Sequence, residues 1–238
     1  MHSQIELRTD DGVCRAHVFH PEGEGPWPGV LMFHDGLGMR PAMHVLASSI
    51  ATAGYHVLLP DLFYRMAPYD APDPAALFSN PEVRAAWFAK AQTTTVAAIL
   101  RDVAHYLSAL RGTGDRIGAT GYCLGGRLAL CAASTYPDEF AAVAAYHPGG
   151  LVTDATDSPH RLFDKITAAV YIGAATDDPS FSAADQQVVR GTLASVEHVL
   201  EVYLAKHGWV PIDTPVHDAS AADRHRETLL DLLGRTLS

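Results

Sequence analysis

The chain has 238 residues, 48% of them hydrophobic and 18% charged, which is the composition of an ordinary folded protein and excludes disordered and fibrous classes. Its formal net charge of −10 disfavours nucleic acid and anionic membrane surfaces as partners. No apolar run is long enough to span a bilayer, and the first residues lack the pattern of a signal peptide. We therefore expect a cytoplasmic protein. The sequence does not distinguish a monomer from a homodimer.

The three cysteines are Cys14, Cys123 and Cys131. Their number is odd and none are spaced as Cys-x-x-Cys, so neither a disulfide framework nor a structural zinc site is expected. No metal and no cofactor is predicted. Any special role of a cysteine must therefore come from the reactivity of its thiol.

Strand-like and helix-like stretches alternate along residues 1–238, which predicts a single α/β domain. We expect a mostly parallel central sheet with helices on both faces. The first two strands, near residues 5–7 and 14–19, are joined by Asp10-Asp11-Gly12 and should form an antiparallel hairpin. The other strands are predicted at residues 29–33, 56–59, 116–122, 141–146, 168–173 and 198–204.

Helices are predicted where apolar residues recur with a helical period. Gly54 should end the first helix and Gly234 the last, and the motif Ser-Ala-Ala-Asp at Ser182 and Ser220 indicates a helix start. Residues 62–79 show no clean period and are predicted to form a long functional loop. The predicted helices cover residues 41–53, a segment starting at 80, and residues 96–110, 124–134, 182–195 and 220–233.

The most specific motif is Gly121-Tyr122-Cys123-Leu124-Gly125, where a predicted strand meets a predicted helix. It has the form of the nucleophile elbow of α/β-hydrolases, with a thiol in place of the serine hydroxyl. A side chain at either glycine would obstruct the close approach of the strand and the helix. The nucleophile should have a strained backbone, and the positive potential at the helix N-terminus favours its thiolate. The N–H of Leu124 can donate to a developing oxyanion.

The alternative for Cys123 is a buried cysteine that only packs, because most free cysteines behave as small apolar residues. The flanking glycines and the strand–turn–helix context favour the nucleophile. Cys131 in the following helix and Cys14 in an early strand are predicted to be core residues.

An acid after a later strand and then a histidine near the C-terminus complete this type of site. Asp177 and Asp178 follow the strand predicted at residues 168–173, and either can be the acid. His207 follows the last predicted strand and precedes a glycine, and it alone of the 13 histidines meets both the strand-end and the chain-order requirement. We predict that His207 is the base and that the aspartate orients it.

The loop His34-Asp35-Gly36 follows the strand predicted at residues 29–33. We predict that the N–H of Gly36 is the second oxyanion donor. Asp35 should either lie at the mouth of the site, close to the thiol, or cap the helix that begins near Pro41.

Several large side chains fall on elements near the predicted nucleophile, where they can contact substrate or pack in the core. With Asp35, they are the candidate substrate-binding residues: Phe63, Tyr64, Trp87, Tyr122, Tyr146, His147, Phe181 and Trp209.

These motifs together resemble the dienelactone hydrolase family. The likeness rests on Gly-Tyr-Cys-Leu-Gly-Gly at residues 121–126, on the acid after a strand ending in Gly-Ala-Ala and on His207-Gly208-Trp209, and it extends from Pro28 to the C-terminus. It implies the α/β-hydrolase fold and a Cys–Asp–His triad at Cys123, Asp178 and His207. The family has a short turn and an apolar residue after the acid, which implies Asp178 rather than Asp177.

Two departures from the family concern the substrate. The family has a glutamate, which contacts the thiol before substrate binds, where this chain has Asp35. Dienelactone hydrolase has a carboxylate-binding arginine four residues after the catalytic histidine, where this chain has Pro211. We therefore expect neutral substrates to be preferred over carboxylate-bearing analogues, unless Arg84, Arg127 or Lys206 reaches the pocket.

The expected activity is hydrolysis of small esters or lactones through a thioester on Cys123, which His207 and water then cleave. One alternative is a thioester or short-peptide hydrolase. Another, from a different class, is a non-catalytic ligand-binding protein on the same fold. The intact nucleophile, acid and histidine argue against it, since a binding protein needs none of them.

Overall fold

The computed structural model describes residues 1–176 and 178–237. Asp177, one of the two candidate acids, lies outside the described residues, as does Ser238. No helix within the described part of the chain is both long enough and apolar enough to cross a membrane.

A hairpin forms one edge of the sheet. Its strands are β1 (His2–Thr9) and β2 (Gly12–Phe19), which pair antiparallel with Thr9 opposite Gly12, so the turn predicted from Asp10-Asp11-Gly12 is confirmed. The other strands are β3 (Gly29–Phe33), β4 (His56–Pro60), β5 (Ile117–Tyr122), β6 (Phe140–Tyr146), β7 (Ala169–Ala175) and β8 (His198–Tyr203).

The sheet has the strand order β1-β2-β4-β3-β5-β6-β7-β8. β2 also pairs antiparallel with β4, and every pair from β4 to β8 is parallel, which confirms the mostly parallel sheet. Every residue of β3, β5 and β7 is buried, as expected for parallel strands that are covered on both faces.

Helices cover both faces of the sheet, as predicted. One face packs against α4, α5 and α6, and the other packs against α1 and α7. The helices are α1 (Pro41–Thr52), α2 (Pro74–Ser79), α3 (Pro81–Ala91), α4 (Val96–Ala109), α5 (Leu124–Thr135), α6 (Ala183–Thr192) and α7 (Ala219–Thr236).

The segment 62–79 is more regular than the sequence suggested. It contains a 3₁₀ turn at Tyr64–Met66 and the short helix α2, whose first turn is capped by the Asp73 side chain. Aspartate followed by proline is a common helix start, but a helix this short has too few residues to show a period.

The start of α6 is as predicted, whereas both ends of α7 differ from the prediction. Ser182 and Asp185 form the expected capping box of α6. In α7 the cap is Asp218 rather than Ser220, and the helix continues beyond Gly234 to Thr236. The apolar face of α7 stays packed against the sheet up to this point, so burial outweighs the poor helix propensity of glycine.

Candidate active site

Cys123 alone makes the turn between β5 and α5, because the strand ends at Tyr122 and the helix begins at Leu124. Its backbone has φ 54° and ψ −116°, a combination that residues other than glycine rarely adopt. The strained elbow predicted from the sequence is therefore confirmed. The N–H of Cys123 donates to the carbonyl oxygen of Tyr146 at 3.0 Å, which helps to hold the turn.

The glycines on either side of Cys123 are needed because backbones meet there. A Cβ at Gly121 would lie 2.1 Å from the carbonyl oxygen of Gly125, and a Cβ at Gly125 would lie 2.2 Å from that of Phe33. Both distances are far below van der Waals contact, and both obstacles are backbone atoms that cannot rotate aside. This confirms the steric reason for the two glycines.

We expect Gly125→Ala to lower the free energy of unfolding by about 3 kcal/mol or more, because the new methyl group forces β3 and α5 apart. Denaturant unfolding monitored by circular dichroism measures the change. The matched control is Gly191→Ala in α6, where the new Cβ meets nothing within 4 Å and should leave stability unchanged or slightly higher. Equal stability of the two variants would contradict the close approach at the elbow.

The structure brings the three predicted catalytic residues together. The Nε2 atom of His207 lies 3.0 Å from the sulfur of Cys123, and its Nδ1 atom lies 2.6 Å from Oδ2 of Asp178. Asp178 follows β7 and His207 follows β8, and these strands are parallel neighbours, so both loops reach the same edge of the sheet. The Asp178 side chain is buried, whereas 26% of the His207 side chain is exposed.

Ser180 is a fourth member of this group that sequence reasoning missed. Its N–H and its hydroxyl donate to Oδ1 of Asp178 at 2.8 and 2.6 Å, which leaves Oδ2 for His207. An aspartate that accepts from the N–H two residues later forms an Asx turn, and the sequence Asp178-Pro179-Ser180 is compatible with one. The turn fixes the direction in which the carboxylate faces the imidazole.

The charges around His207 favour its protonated form. Burial lowers the pKa of His207, but the Cys123 sulfur and the Asp178 carboxylate outweigh burial and raise this pKa to about 10. Burial also raises the pKa of Asp178, but the hydrogen bonds from His207 and Ser180 bring it below its usual value. At neutral pH the imidazolium therefore lies between an anionic carboxylate and the sulfur of Cys123, to which its Nε2–H can donate.

His147 packs against His207 from the inside of the protein. The ring centroids of the two histidines are 5.3 Å apart, and His147 also packs edge-on against Trp209 at 4.8 Å. Burial lowers the pKa of His147 well below its usual value, and the charge of His207 lowers it further. His147 thus remains neutral and supports the His207 ring.

We expect Cys123 to be the cysteine that alkylating reagents modify first. Cys14 and Cys131 are buried, and burial raises their pKa values to about 12 and about 11. Cys123, in contrast, lines the cavity and lies 3.0 Å from Nε2 of His207, so a reagent can reach its sulfur next to a base.

Limited reaction with iodoacetamide, followed by peptide mapping, measures the order in which the cysteines are labelled. First labelling of Cys14 or Cys131 with full retention of activity would contradict the assignment.

Cys123 and His207 line a cavity of about 260 Å³. Its walls are mostly apolar, with Phe63, Phe88 and Ile99 among the larger side chains. The segment from Phe88 to Ile99, which joins α3 to α4, was not expected at the site. It carries no motif, and only the tertiary fold brings it over the thiol.

Most of the other large side chains proposed to bind substrate do not line this cavity. Only Phe63 of that set does so. Tyr64 borders a separate surface depression and bonds with the Thr9 hydroxyl at 2.6 Å. The rest are buried core residues, so their assignment as substrate contacts is corrected: Trp87, Tyr122, Tyr146, His147, Phe181 and Trp209.

Three of these buried aromatic residues have partners for their polar ends, whereas within the described residues the indole N–H of Trp209 and both ring nitrogens of His147 have none. The indole N–H of Trp87 donates to the carbonyl oxygen of Gly36 at 2.7 Å, so Trp87 supports the loop that follows β3. The hydroxyl of Tyr122 bonds with His225, and that of Tyr146 bonds with Thr228.

Gly36 and Leu124, the predicted oxyanion donors, both line the cavity beside Cys123. A Cβ at Gly36 would lie 4.0 Å from the Cβ of Leu124, which shows how closely the two loops approach. Within the described residues neither backbone N–H donates a hydrogen bond. Both donors are therefore available next to the sulfur.

Asp35 is not at the mouth of the site. Its carboxylate is buried in a two-pronged ion pair with Arg40, at 2.6 and 2.8 Å, and it also accepts the N–H of Leu37. Arg40 pairs in addition with Asp213 at 2.7 Å. Asp35 does not cap α1 either, because Arg40 holds the N-cap position and makes no side-chain cap. The ion pairs instead tie the Gly36 loop to the loop that follows His207.

Arg127 is the one basic residue of the three considered that lines the cavity, whereas Arg84 and Lys206 do not. It lies on α5, one helical turn after Cys123. Within the described residues its Nε is buried without a hydrogen-bond partner, and it forms no ion pair. A basic side chain with no acidic partner among the described residues therefore borders the cavity.

Comparison with known proteins identifies the family and agrees with the fold. The sequence model of the dienelactone hydrolase family matches residues 14–237. A Salmonella typhi protein provisionally assigned as a carboxymethylenebutenolidase is 30% identical over 93% of this chain and 82% of its own length. The carboxymethylenebutenolidase of Pseudomonas putida is 26% identical over 96% of this chain and 94% of its own.

A crystal structure from Klebsiella pneumoniae, provisionally assigned as a dienelactone hydrolase, superposes with a TM-score of 0.84. The superposition covers 99% of this chain and 98% of that one, at 20% sequence identity. This likeness confirms the α/β-hydrolase fold.

Proposed function

The chain belongs to the dienelactone hydrolase family of hydrolases, and on this premise we propose that it cleaves small esters or lactones through a thioester on Cys123. One observation carries the proposal. His207 lies between Cys123 and Asp178, at 3.0 Å from the sulfur and 2.6 Å from the carboxylate. This order of nucleophile, base and orienting acid is the arrangement that acyl transfer requires.

In the first step the thiolate of Cys123 attacks the carbonyl carbon of the substrate, and the carbonyl oxygen takes up the negative charge. The N–H groups of Gly36 and Leu124 stabilise this oxyanion, and one such donor contributes about 3 to 4 kcal/mol in enzymes of this type. The C–O bond then breaks, and the leaving alkoxide takes the proton from His207. In a lactone the alkoxide stays attached to the acyl group.

The second step needs His207 as a base. Formation of the thioester removes the negative charge of the Cys123 sulfur, which is a main cause of the raised pKa of His207. The neutral imidazole can then take a proton from water, which attacks the thioester carbonyl. The carboxylic acid leaves, and the thiolate–imidazolium pair forms again.

The size and the lining of the cavity limit the substrate. A volume of about 260 Å³ is below the range of about 300–1,000 Å³ that holds drug-sized ligands. Its mostly apolar walls suit a short hydrocarbon or a small ring. We therefore propose small aliphatic esters and lactones rather than long acyl chains or peptides.

We now propose that carboxylate-bearing substrates are preferred over neutral ones, which is the opposite of the expectation from the sequence. That expectation rested partly on Asp35, whose charge is neutralised by Arg40. Arg127 supplies a guanidinium to the cavity wall instead. An arginine without an acidic partner can bind the carboxylate of a substrate with two parallel hydrogen bonds.

Arg127→Gln should lower kcat/KM for a carboxylate-bearing lactone by about 10- to 100-fold, mainly through KM, because one charge-assisted contact is lost. The neutral methyl ester of the same lactone should be affected little. Arg84→Gln, outside the cavity, is the matched control. A similar loss for both substrates, or a wild-type preference for the neutral one, would contradict a carboxylate contact at Arg127.

Turnover of a panel of chromogenic esters and lactones by the wild type and by Cys123→Ala tests the proposed activity. We expect the wild type to turn over its best substrates and the variant to be inactive while its circular dichroism spectrum is unchanged. Tight binding of the same compounds without turnover by the wild type would instead indicate a ligand-binding protein.

A further inference from the structure

Three histidines meet on the hairpin edge of the sheet, and none of them lines the cavity of Cys123. His2 lies on β1, His17 on β2 and His44 on α1. Within residues 1–176 and 178–237 this is the one group of three or more histidine, cysteine or acidic side chains that is compact enough to share a metal ion.

The strand register explains why the rings converge. His2 pairs with Phe19, and Gln4 pairs with His17, so His2 and His17 lie on the same face of the hairpin. His44 covers that face from α1, with its ring centroid 4.3 Å from that of His17 and 5.4 Å from that of His2. Phe19 stacks on His2 at 4.3 Å and limits the orientations of that ring.

A packing role alone leaves one polar atom of the cluster unexplained. Nε2 of His2 and Nδ1 of His17 lie 2.9 Å apart and can share a hydrogen bond. The Nε2 atom of His44, in contrast, is buried and has no hydrogen-bond partner within the described residues. A buried polar atom without a partner destabilises the fold unless something else binds it.

We propose that His2, His17 and His44 together bind one divalent transition-metal ion, for which zinc is the reference case. One ring nitrogen of each residue lies within 4.8 Å of the others. Three nitrogens around a tetrahedral zinc ion, each at about 2.0–2.1 Å, are roughly 3.4 Å apart, so small side-chain rotations are enough. Imidazole ligands favour zinc, nickel and copper over calcium and magnesium, which prefer oxygen.

Bound metal would join three separate elements at the edge of the sheet. β1 is the outermost strand and has a neighbour on one side only. An ion held by β1, β2 and α1 fixes this strand to the helix that covers it. Because the unfolded chain lacks the preformed site, binding should stabilise the folded state.

Isothermal titration with zinc chloride tests the site on protein purified without a polyhistidine tag. The Cys123→Ala background removes the thiolate, which would also bind zinc. We expect one equivalent of zinc to bind, and Tm to rise by roughly 5–10 °C at a zinc concentration of 100 times Kd. His2→Gln should weaken binding at least tenfold, and since His2 is exposed, this variant should fold normally.

His44→Gln should weaken binding at least as much, and His105→Gln, a surface histidine outside the cluster, should have no effect. X-ray absorption at the zinc edge should show three imidazole nitrogens at about 2.0–2.1 Å. Absence of zinc binding would overturn the proposal, and so would equal affinity in the His2→Gln and His105→Gln proteins.

Discussion

Replacing His207 with alanine should lower kcat/KM for ester and lactone substrates by about 10³-fold or more. In the proposed mechanism its imidazole protonates the leaving alkoxide and activates water. Both proposed functions depend on the 3.0 Å contact between Nε2 and the sulfur, which alanine removes. The side chain is 26% exposed on a loop, so stability should change much less than activity.

Steady-state kinetics on the best substrate, with a denaturant unfolding curve for each protein, separates these effects. His105→Ala is the matched control, because this histidine lies on α4 and does not line the cavity. A comparable loss from His34→Ala with full activity in His207→Ala would move the base to another residue.

Asp178→Asn should lower kcat/KM by about 10²-fold or more, because the amide keeps the shape of the carboxylate but loses its charge. Asp178 accepts the Nδ1 proton of His207 at 2.6 Å and helps to raise the pKa of that ring to about 10. An amide at this position supports the imidazolium poorly and can stabilise the wrong tautomer. The loss should appear mainly in kcat.

The same measurement on Asp177→Asn is the control for this variant. Asp177 is the neighbouring acid, and its replacement should leave kcat/KM within a few-fold of the wild type. The opposite ranking of the two variants would transfer the orienting role to Asp177. Ser180→Ala should give an intermediate loss, because the carboxylate then loses its hydroxyl donor.

The elbow and the positions of the strands along the chain could be predicted because local rules determine them. Gly121 and Gly125 are required by the contact of two backbones, and that requirement is visible as a spacing in the sequence. Asp178 and His207 each follow a strand of one parallel sheet, so chain order alone places them at the same edge. These features needed no knowledge of which side chains face each other.

The features that were wrong or missed depend on long-range packing. Asp35 was expected near the thiol, but Arg40 and Asp213 hold it in a buried ion-pair network, and Asp213 is far away in the sequence. Tyr122 and Tyr146 were candidates for lining the cavity, yet their side chains belong to the core on the face of the sheet that packs against α1 and α7. The direction of a side chain on a buried strand depends on the final register, which spacing does not show.

The histidine cluster shows the same limit. His2, His17 and His44 come from two strands and a helix, with no spacing that resembles a metal-binding motif. Sequence reasoning therefore predicted no metal site, and the convergence of the three rings becomes visible only when the hairpin is folded against α1.

The most direct test of the central claim is to trap the acyl-enzyme. Wild-type protein is mixed with a chromogenic ester that it turns over, quenched in acid within milliseconds to seconds, and analysed by intact mass spectrometry and peptide mapping. We expect the protein mass to increase by that of one acyl group, on the peptide that contains Cys123, and to return to the original value when substrate is exhausted. Turnover at full rate with no adduct, or with the acyl group on another residue, would contradict the assignment of Cys123 as the nucleophile.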